Sequence, residues 1–225
     1  MSNQEPKGNI LPIYFVADES GSMYDDIDQL TEGLSSLLNE IHRQPFAAAA
    51  VRFSVIGFNN TANLYVELAD LRDIESLGQL TATGGTYFST ALDMLASLIP
   101  THVERLKAEG YRVNRPTVFL LTDGYPMGDD EWEEALADLQ ALKARPNLLA
   151  FGIGDADPAV ISQLASNPKY AFKAAEGAST GQVLAEFMTS LTQSVISSGN
   201  SIGSGQGQIQ PQIPEGFIPI DADEV

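Results

Sequence analysis

The sequence contains no cysteine among its 225 residues. Disulfide bonds, thiolate zinc sites and cysteine nucleophiles are therefore excluded. It also has no run of about 18 apolar residues that could span a bilayer. The polar opening, MSNQEPKGN, lacks the apolar segment of a signal peptide. Together these absences predict a cytoplasmic protein with no membrane-spanning segment.

Basic residues are scarce as well. The chain has 12 Lys and Arg residues against 30 Asp and Glu residues, which gives a formal net charge of −18. Such a charge repels nucleic acid and anionic lipid, so we expect neither as a partner. It favours basic protein partners and divalent cations instead.

Apolar runs and amphipathic segments alternate along the chain. Residues 10–18 are nearly all apolar, which is typical of a strand buried on both faces of a parallel sheet. Residues 27–44 carry apolar side chains at helical spacing. The alternation predicts an α/β fold, a three-layer Rossmann-like sandwich with a mostly parallel sheet and helices on both faces. The other predicted strands are 47–60, 61–68, 115–123, 147–154 and 170–175, and the other helices 87–110, 129–144, 157–165 and 180–198.

Two local signals refine this fold. Only a short turn at Asn59 and Asn60 separates the strands 47–60 and 61–68, so we expect an antiparallel pair with the later strand at the sheet edge. Pro100 is expected to kink or divide the helix 87–110.

The composition changes after Ser198. Residues 199–225 are rich in Gly, Pro and Gln, contain no Lys or Arg, and include four acidic residues. This composition predicts a flexible acidic tail, 199–225, following one domain over 1–198. In the alternative interpretation, the short apolar pieces of this tail dock on a partner or on the preceding domain.

The first predicted strand ends in the segment VADESGSM. Asp18, Ser20 and Ser22 alternate directly after the strand, and Gly21 permits a turn between the serines. Three interpretations compete: a helix cap, a nucleophile or a metal site. A cap needs one such residue, whereas three alternating oxygen side chains can face one point and suit Mg²⁺, Mn²⁺ or Ca²⁺ better than zinc.

The sequence lacks the residues that would support a nucleophile in this segment. Neither serine stands in a G-x-S-x-G setting, and no P-loop is present. A phospho-aspartate mechanism would want a second acid where Ser20 stands. His42 and His102 fall inside predicted amphipathic helices, where we expect them at the surface or its boundary. We therefore predict no catalytic residue and no organic cofactor.

Two later segments complete a possible metal site. In TGGTYF (83–88), Thr86 stands at the mouth of a helix, where it would also serve as the N-cap. In LLTDGYP (120–126), Asp123 ends a strand as Asp18 does. Ligands of open parallel sheets bind outside the carboxyl ends of the strands, so both aspartates are expected at that edge.

The ordered set D-x-S-x-S, T-G-G-T and T-D-G resembles the metal-ion-dependent adhesion site (MIDAS) of von Willebrand factor type A (vWA) domains. The resemblance extends over roughly residues 9–198. It implies that Asp18, Ser20, Ser22, Thr86 and Asp123 hold a divalent cation, most readily Mg²⁺, with Mn²⁺ or Ca²⁺ as alternatives. It implies a non-enzymatic module whose metal is completed by an Asp or Glu of a protein partner.

A finer resemblance, carried by ADESGSM and LLTDGYPMGDDEW, is to bacterial stand-alone members of the tellurium-resistance TerY type. It implies a monomer in a stress-response system with a kinase or phosphatase partner. Two alternatives remain: a metal-dependent hydrolase or phosphatase using Asp18, and a subunit whose metal is purely structural.

Other residues near the motifs have two interpretations each. Five acidic residues would ring the site or form ordinary solvated surface, and three tyrosines would form an aromatic rim or pack within their loops. Trp132 is expected in the core. The acids are Glu19, Asp25, Asp26, Asp129 and Asp130, and the tyrosines Tyr24, Tyr87 and Tyr125.

Overall fold

A computed structural model describes residues 5–175, 177, 179–207 and 209–220. In this part of the chain strands and helices alternate, with short 3₁₀ turns at Gly21–Asp25 and Pro168–Tyr170. The strands are β1 Asn9–Asp18, β2 Val51–Phe58, β3 Ala62–Ala69, β4 Arg112–Val113, β5 Thr117–Thr122, β6 Asn147–Gly152, β7 Ala171–Ala174 and β8 Phe217–Pro219. The helices are α1 Ile27–His42, α2 Pro45–Ala49, α3 Phe88–Ala108, α4 Trp132–Ala141, α5 Pro158–Leu164 and α6 Thr180–Gly203.

The strands form one sheet in the order β3-β2-β1-β5-β6-β7-β8, and the two-residue strand β4 pairs with the start of β1. Strands β2, β1, β5, β6 and β7 are parallel neighbours. Strand β3 runs antiparallel to β2 at one edge, as the short Asn59-Asn60 turn requires. The predicted mostly parallel α/β sheet and its antiparallel edge strand are confirmed.

Each face of the sheet buries its own apolar cluster, because successive side chains of a strand point to opposite faces. From β1, Phe15 joins the cluster beneath α1, α2 and α6, whereas Tyr14 and Val16 join the one beneath α3, α4 and α5. Trp132 lies in the second cluster and is 5% exposed, so its predicted core position is confirmed. The two clusters fix the carboxyl edge of the sheet as a rigid frame for the loops.

Two predicted elements differ from the structure. Residues 45–49 form α2 rather than the start of a strand, because Pro45 suits the first helical position and alanine is the best helix former. Of the two outcomes expected at Pro100, a kink or a division, the division does not occur, because helix α3 continues through this residue. Its buried residues Leu95, Ile99 and Val103 lie on both sides of Pro100 and pack into one cluster, which keeps the two halves together.

The prediction of a flexible tail from residue 199 is corrected. Helix α6 crosses the predicted boundary and ends at Gly203, because Gly199 allows close approach to the α2 backbone and Ile202 is fully buried. Phe217–Pro219 then form β8, a second antiparallel edge strand, in which Phe217 packs edge-on against Phe151. The C-terminal acids 221–225 lie outside the described residues.

His102 is also placed differently from the prediction. It is 1% exposed, and its ring stacks on Tyr14 with the Tyr14 hydroxyl 2.8 Å from Nδ1. Burial lowers the pKa of His102, so the neutral ring is favoured inside the core. Among the described residues, no helix is long and apolar enough to cross a membrane.

Candidate metal centre

Three loops meet at the carboxyl edge of the sheet. The first follows β1 and carries Ser20 and Ser22; the second precedes α3 and carries Thr86; the third follows β5 and begins at Asp123. Since β1 and β5 are adjacent parallel strands, their ends bring Asp18 and Asp123 to the same edge.

The Asp18 carboxylate is held rigidly at the floor of this centre. It is fully buried, and each of its oxygens accepts one hydrogen bond. Ser20 N donates to Oδ1 at 2.8 Å, and the Thr122 hydroxyl donates to Oδ2 at 2.5 Å. Thr122 in turn accepts from Gly124 N at 3.1 Å, which ties the third loop to the first. Each Asp18 oxygen keeps one lone pair free for a further contact.

The two serine hydroxyls stand side by side between the aspartates. Ser20 Oγ lies 3.0 Å from Ser22 Oγ, and Ser22 Oγ donates to Asp123 Oδ1 at 2.8 Å. Ser20 is buried, whereas Ser22 is exposed. The row of oxygens therefore runs from the floor of the site to its open face.

Thr86 closes the site from the second loop. A Cβ built on Gly124 would stand 2.8 Å from Thr86 Oγ1 and 3.7 Å from Asp18 Oδ2. The absence of a side chain at Gly124 thus leaves open the space between the threonine hydroxyl and the aspartate carboxylate. The structure brings together all five residues that the sequence predicted.

Backbone contacts fix the loops against each other. Gly21 N donates to Gly84 O at 3.0 Å, and Gly84 adopts φ +76°, which a residue with a side chain disfavours. Asn60 Oδ1 accepts from Gly85 N at 2.9 Å. The path of the loop therefore requires glycine at position 84, where an added Cβ would also overlap Asn60 Oδ1.

Glu19 is a structural residue that the sequence analysis misplaced. We expected it either at the mouth of the site or on ordinary solvated surface, but it is fully buried. Its Oε1 accepts from the Tyr65 hydroxyl at 2.6 Å and from Thr81 N at 2.7 Å, while Oε2 has no partner within the described structure. Thr83 N also donates to Glu19 O at 2.7 Å. Glu19 thus holds the loop that carries Thr86.

The helix cap expected from Thr86 is supplied by another residue. Asp130, from the loop after β5, accepts from Phe88 N at 2.7 Å and from Ser89 N at 3.2 Å. This arrangement satisfies the free N–H groups at the start of α3 and leaves the Thr86 hydroxyl for the site. The neighbouring Asp129 accepts from the Tyr87 hydroxyl at 3.0 Å.

Of the tyrosines near the site, Tyr24 is 74% exposed and Tyr125 is 56% exposed, whereas Tyr87 is half-buried. The first two offer aromatic contact area around the mouth.

Burial dominates the electrostatics of the two aspartates. Desolvation raises the pKa of Asp18 to about 6, although the hydrogen bonds from Thr122 and Ser20 oppose the shift. Desolvation likewise raises the pKa of Asp123, with smaller contributions from the negative charges of Asp26 and Asp155. A nearby positive charge would stabilise both carboxylates in their ionised form.

The donor set consists of oxygen atoms alone: two carboxylates and three hydroxyls. Hard oxygen donors suit Mg²⁺, Mn²⁺ and Ca²⁺. No cluster of three His, Cys, Asp or Glu side chains suited to a metal occurs in the described ranges, so a site here relies on its hydroxyls. The residues present therefore fit a divalent cation beside Gly124.

The fold and the site together define an α/β domain with an oxygen-only centre at the carboxyl edge of its sheet. The family model for the von Willebrand factor type A domain matches residues 13–186. The chain therefore belongs to this family. Its members are generally protein-interaction modules, and their MIDAS motif binds a divalent cation. A comparison with curated protein sequences gives no match.

Several solved structures share the fold. The pilus adhesin SpaC from Lactobacillus rhamnosus GG, in its open conformation, superposes with a TM-score of 0.66 at 16% identity over 86% of this chain and 31% of its own. A von Willebrand factor type A protein from Catenulispora acidiphila gives 0.57 at 18% identity, over 84% and 43%. Proximal thread matrix protein 1 from the mussel byssus, with a zinc-occupied MIDAS motif, gives 0.56 at 18% identity, over 83% and 46%. The chain spans less than half the length of each.

Proposed function

We propose that this protein is a non-enzymatic module that recruits a carboxylate of a protein partner through a divalent cation. The observation that carries the proposal is the convergence of five oxygen side chains from three loops on the space beside Gly124. Asp18, Ser20, Ser22, Thr86 and Asp123 would hold the ion.

The roles of these residues differ with their depth in the site. Asp18 supplies a fixed negative charge at the floor, where Thr122 and Ser20 N prevent its rotation. Ser22 reaches the surface and orients Asp123 through their hydrogen bond. Glu19 keeps the Thr86 loop in place from behind.

The chemistry of the donors explains why an acidic partner fits. The three hydroxyls are neutral, so the protein compensates the ion's charge only through its two carboxylates. A bound divalent cation supplies an electrophilic centre at which a carboxylate oxygen of the partner completes the coordination. The exposed rings of Tyr24 and Tyr125 beside the mouth offer contact area to the same partner.

We propose Mg²⁺ as the resident ion on the family resemblance, with Mn²⁺ or Ca²⁺ as alternatives, because hard oxygen donors suit all three ions. The zinc in the MIDAS motif of the byssus protein makes Zn²⁺ the necessary comparison in any titration.

Catalysis is not part of the proposal because neither histidine lies at the site to act as a general base, and the two aspartates there are assigned to the ion. His42 Nε2 contacts Leu71 O, and His102 is enclosed with Tyr14. Each oxygen of Asp18 accepts one hydrogen bond, and its remaining lone pair is assigned to the ion.

The finer assignment rests on the resemblance of ADESGSM and LLTDGYPMGDDEW to the TerY type. We propose a cytoplasmic monomer in a bacterial stress-response system related to tellurium resistance, with a kinase or phosphatase as partner. The set of genes beside its own tests this assignment: absence of a kinase and a phosphatase gene would count against it.

Calorimetric titration of Mg²⁺, Mn²⁺, Ca²⁺ and Zn²⁺ tests the metal site. We expect binding by the wild type, tightest for Mg²⁺ or Mn²⁺, and none by Asp18→Ala. Capture of partners with and without EDTA tests recruitment. A partner retained equally well in EDTA would contradict the metal bridge, and phosphate-ester turnover lost in Asp18→Ala would replace binding by catalysis.

A further inference from the structure

The end of the sheet opposite the metal centre has an unexpected charge. A groove of about 560 Å³ opens there, between the last turns of α3 and α4 and the segments that lead into β5 and β6. We call it the cationic groove. Its rim carries Lys107, Arg115, Lys143 and Arg145, and its one acidic residue is Glu104. A third of the chain's 12 basic residues thus surround one groove in a protein of net charge −18.

Of the eight basic residues outside the groove, four arginines form ion pairs, and four residues, Lys7, Arg112, Lys169 and Lys173, form none within the described structure. Arg43 pairs with Glu40, Arg72 with Asp70, and Arg105 with Glu109. None of the four groove cations forms an ion pair with a carboxylate of the described residues, and all four are exposed. The groove is distinctive because four such cations, with a single acid, surround one cavity in a chain with a large excess of acids, which favours a negatively charged ligand there.

Helix dipoles do not account for the whole arrangement. Helices α3 and α4 both end at the groove, and the C-terminus of a helix carries about −0.5 elementary charge. Four cations, one glutamate and two helix ends leave about +2 charges at the rim. The dipoles therefore explain part of the basic composition, and a net positive field remains.

The walls of the groove are apolar beneath this rim. Val103 and Leu142 belong to or pack against the core beneath α3 and α4, and Val113 joins them from β4. Arg115 Nη1 lies 3.5 Å from Arg145 O, a long and exposed contact that places the guanidinium beside the backbone of the neighbouring segment. The volume lies within the range of binding pockets for compact ligands. A ligand that combines carboxylates with an apolar side chain fits this groove, because the carboxylates would face the cationic rim and the side chain the apolar walls.

We propose that the cationic groove binds an acidic peptide segment of a partner protein, independently of the metal. A peptide is favoured over nucleic acid because a long polyanion would extend beyond the groove onto the surrounding surface. That surface is acidic and would repel it. The six residues of β5 separate the groove from the metal centre by about 20 Å, so two acidic segments would bind at opposite ends of the sheet.

The test uses a fluorescein-labelled peptide of sequence Glu-Leu-Glu-Glu-Leu-Glu, followed by fluorescence anisotropy in EDTA so that the metal centre is silent. We expect saturable binding that weakens about tenfold when salt rises from about 0.02 to about 0.2 M. The variant Arg115→Ala/Lys143→Ala should bind about tenfold more weakly. The control Arg43→Ala/Lys169→Ala removes the same charge outside the groove and should bind like the wild type.

Four results would overturn the proposal: no binding, equal weakening in the control, tighter binding of a labelled oligonucleotide of similar length, or a groove already filled by this protein. The last is seen as self-association of the wild type that is lost in Arg115→Ala/Lys143→Ala. Circular dichroism of both double variants verifies that they are folded. Failure here leaves the metal-dependent function untouched, because the assay contains EDTA.

Discussion

At the carboxyl end of the sheet two carboxylates are buried and hydrogen-bonded, whereas at the amino end four cations are exposed and have no carboxylate partners within the described structure. Asp18 and Glu19 are fully buried and between them accept four side-chain or backbone hydrogen bonds. Arg115 and Lys143 lie at the surface. At the carboxyl end, hydrogen bonds therefore fix the positions of the carboxylates. At the amino end, the cations act mainly through their long-range electrostatic attraction. Substitutions should separate the two.

The largest effect is expected from Asp18→Asn. This change removes the buried negative charge while keeping the shape, so affinity for Mg²⁺ should fall by more than the 10–100-fold typical of residues that only support a ligand. Calorimetry measures the loss. Asp25→Asn removes an exposed carboxylate from the same loop and should bind nearly as the wild type does. Equal losses in both variants would show that general charge, not the site, attracts the ion.

The next effect concerns the support behind the site. Glu19→Ala leaves the Tyr65 hydroxyl and Thr81 N without their acceptor, which should reduce the free energy of unfolding by about 2 kcal/mol. It should also weaken Mg²⁺ binding about tenfold, because the Thr86 loop loses its anchor. Urea unfolding and calorimetry give the two values.

Gly57→Ala tests the position of the Glu19 side chain independently, because an added Cβ would overlap the Glu19 carboxylate. We expect a destabilisation of about 1–3 kcal/mol. Asp25→Ala, a change at an exposed position, is the control. Equal free energies of unfolding for Gly57→Ala and Asp25→Ala would contradict the buried position of Glu19.

The pH dependence follows from the raised pKa of Asp18, about 6 in the folded metal-free protein. Because this pKa lies above the unfolded value of 3.8, the folded state binds the proton more tightly between them. The metal-free protein should therefore lose this group's contribution to stability as the pH rises from about 4 to about 6.

Metal affinity should change in the opposite direction, because the ion requires the ionised carboxylate. Below about pH 6, affinity for Mg²⁺ should fall about tenfold per pH unit, and above it should level off. Titrations at several pH values measure this profile. An affinity that is unchanged from pH 5 to 7 would contradict it.

The smallest effect is expected at the amino end. Arg115→Ala and Lys143→Ala should each change the free energy of unfolding by less than about 0.5 kcal/mol, because their charged groups are exposed and unpaired with the described carboxylates. Thermal unfolding measures the change. A loss of 2 kcal/mol or more would mean that these cations are structural, as Glu19 is.

Much of this architecture was readable from local patterns. Apolar runs and helical spacing gave most strands and helices, since a parallel sheet covered on both faces forces those patterns. The five site residues were found because their types and order are specific, and the structure places them together. The antiparallel edge strand after the Asn59-Asn60 turn followed from the shortness of the connection.

The errors fall where distant segments decide the outcome. Strand β8 forms because Phe217 finds Phe151, and the alternation of strands and helices carries no signal for that contact. Glu19 looks like a surface residue in sequence, yet Tyr65 and Thr81, from two other segments, bury it. Asp130 rather than Thr86 caps α3, which depends on a loop 42 positions later.

The sequence by itself determined the fold class, the order of the three motifs and the oxygen-only chemistry of the predicted metal site, because periodicity and residue type are local properties. Only the tertiary structure decided which carboxylate lies at the floor, which one anchors a loop, and where unpaired cations gather. Those outcomes depend on burial and on partners that are brought together across the sheet, and neither is encoded in any single stretch of the chain.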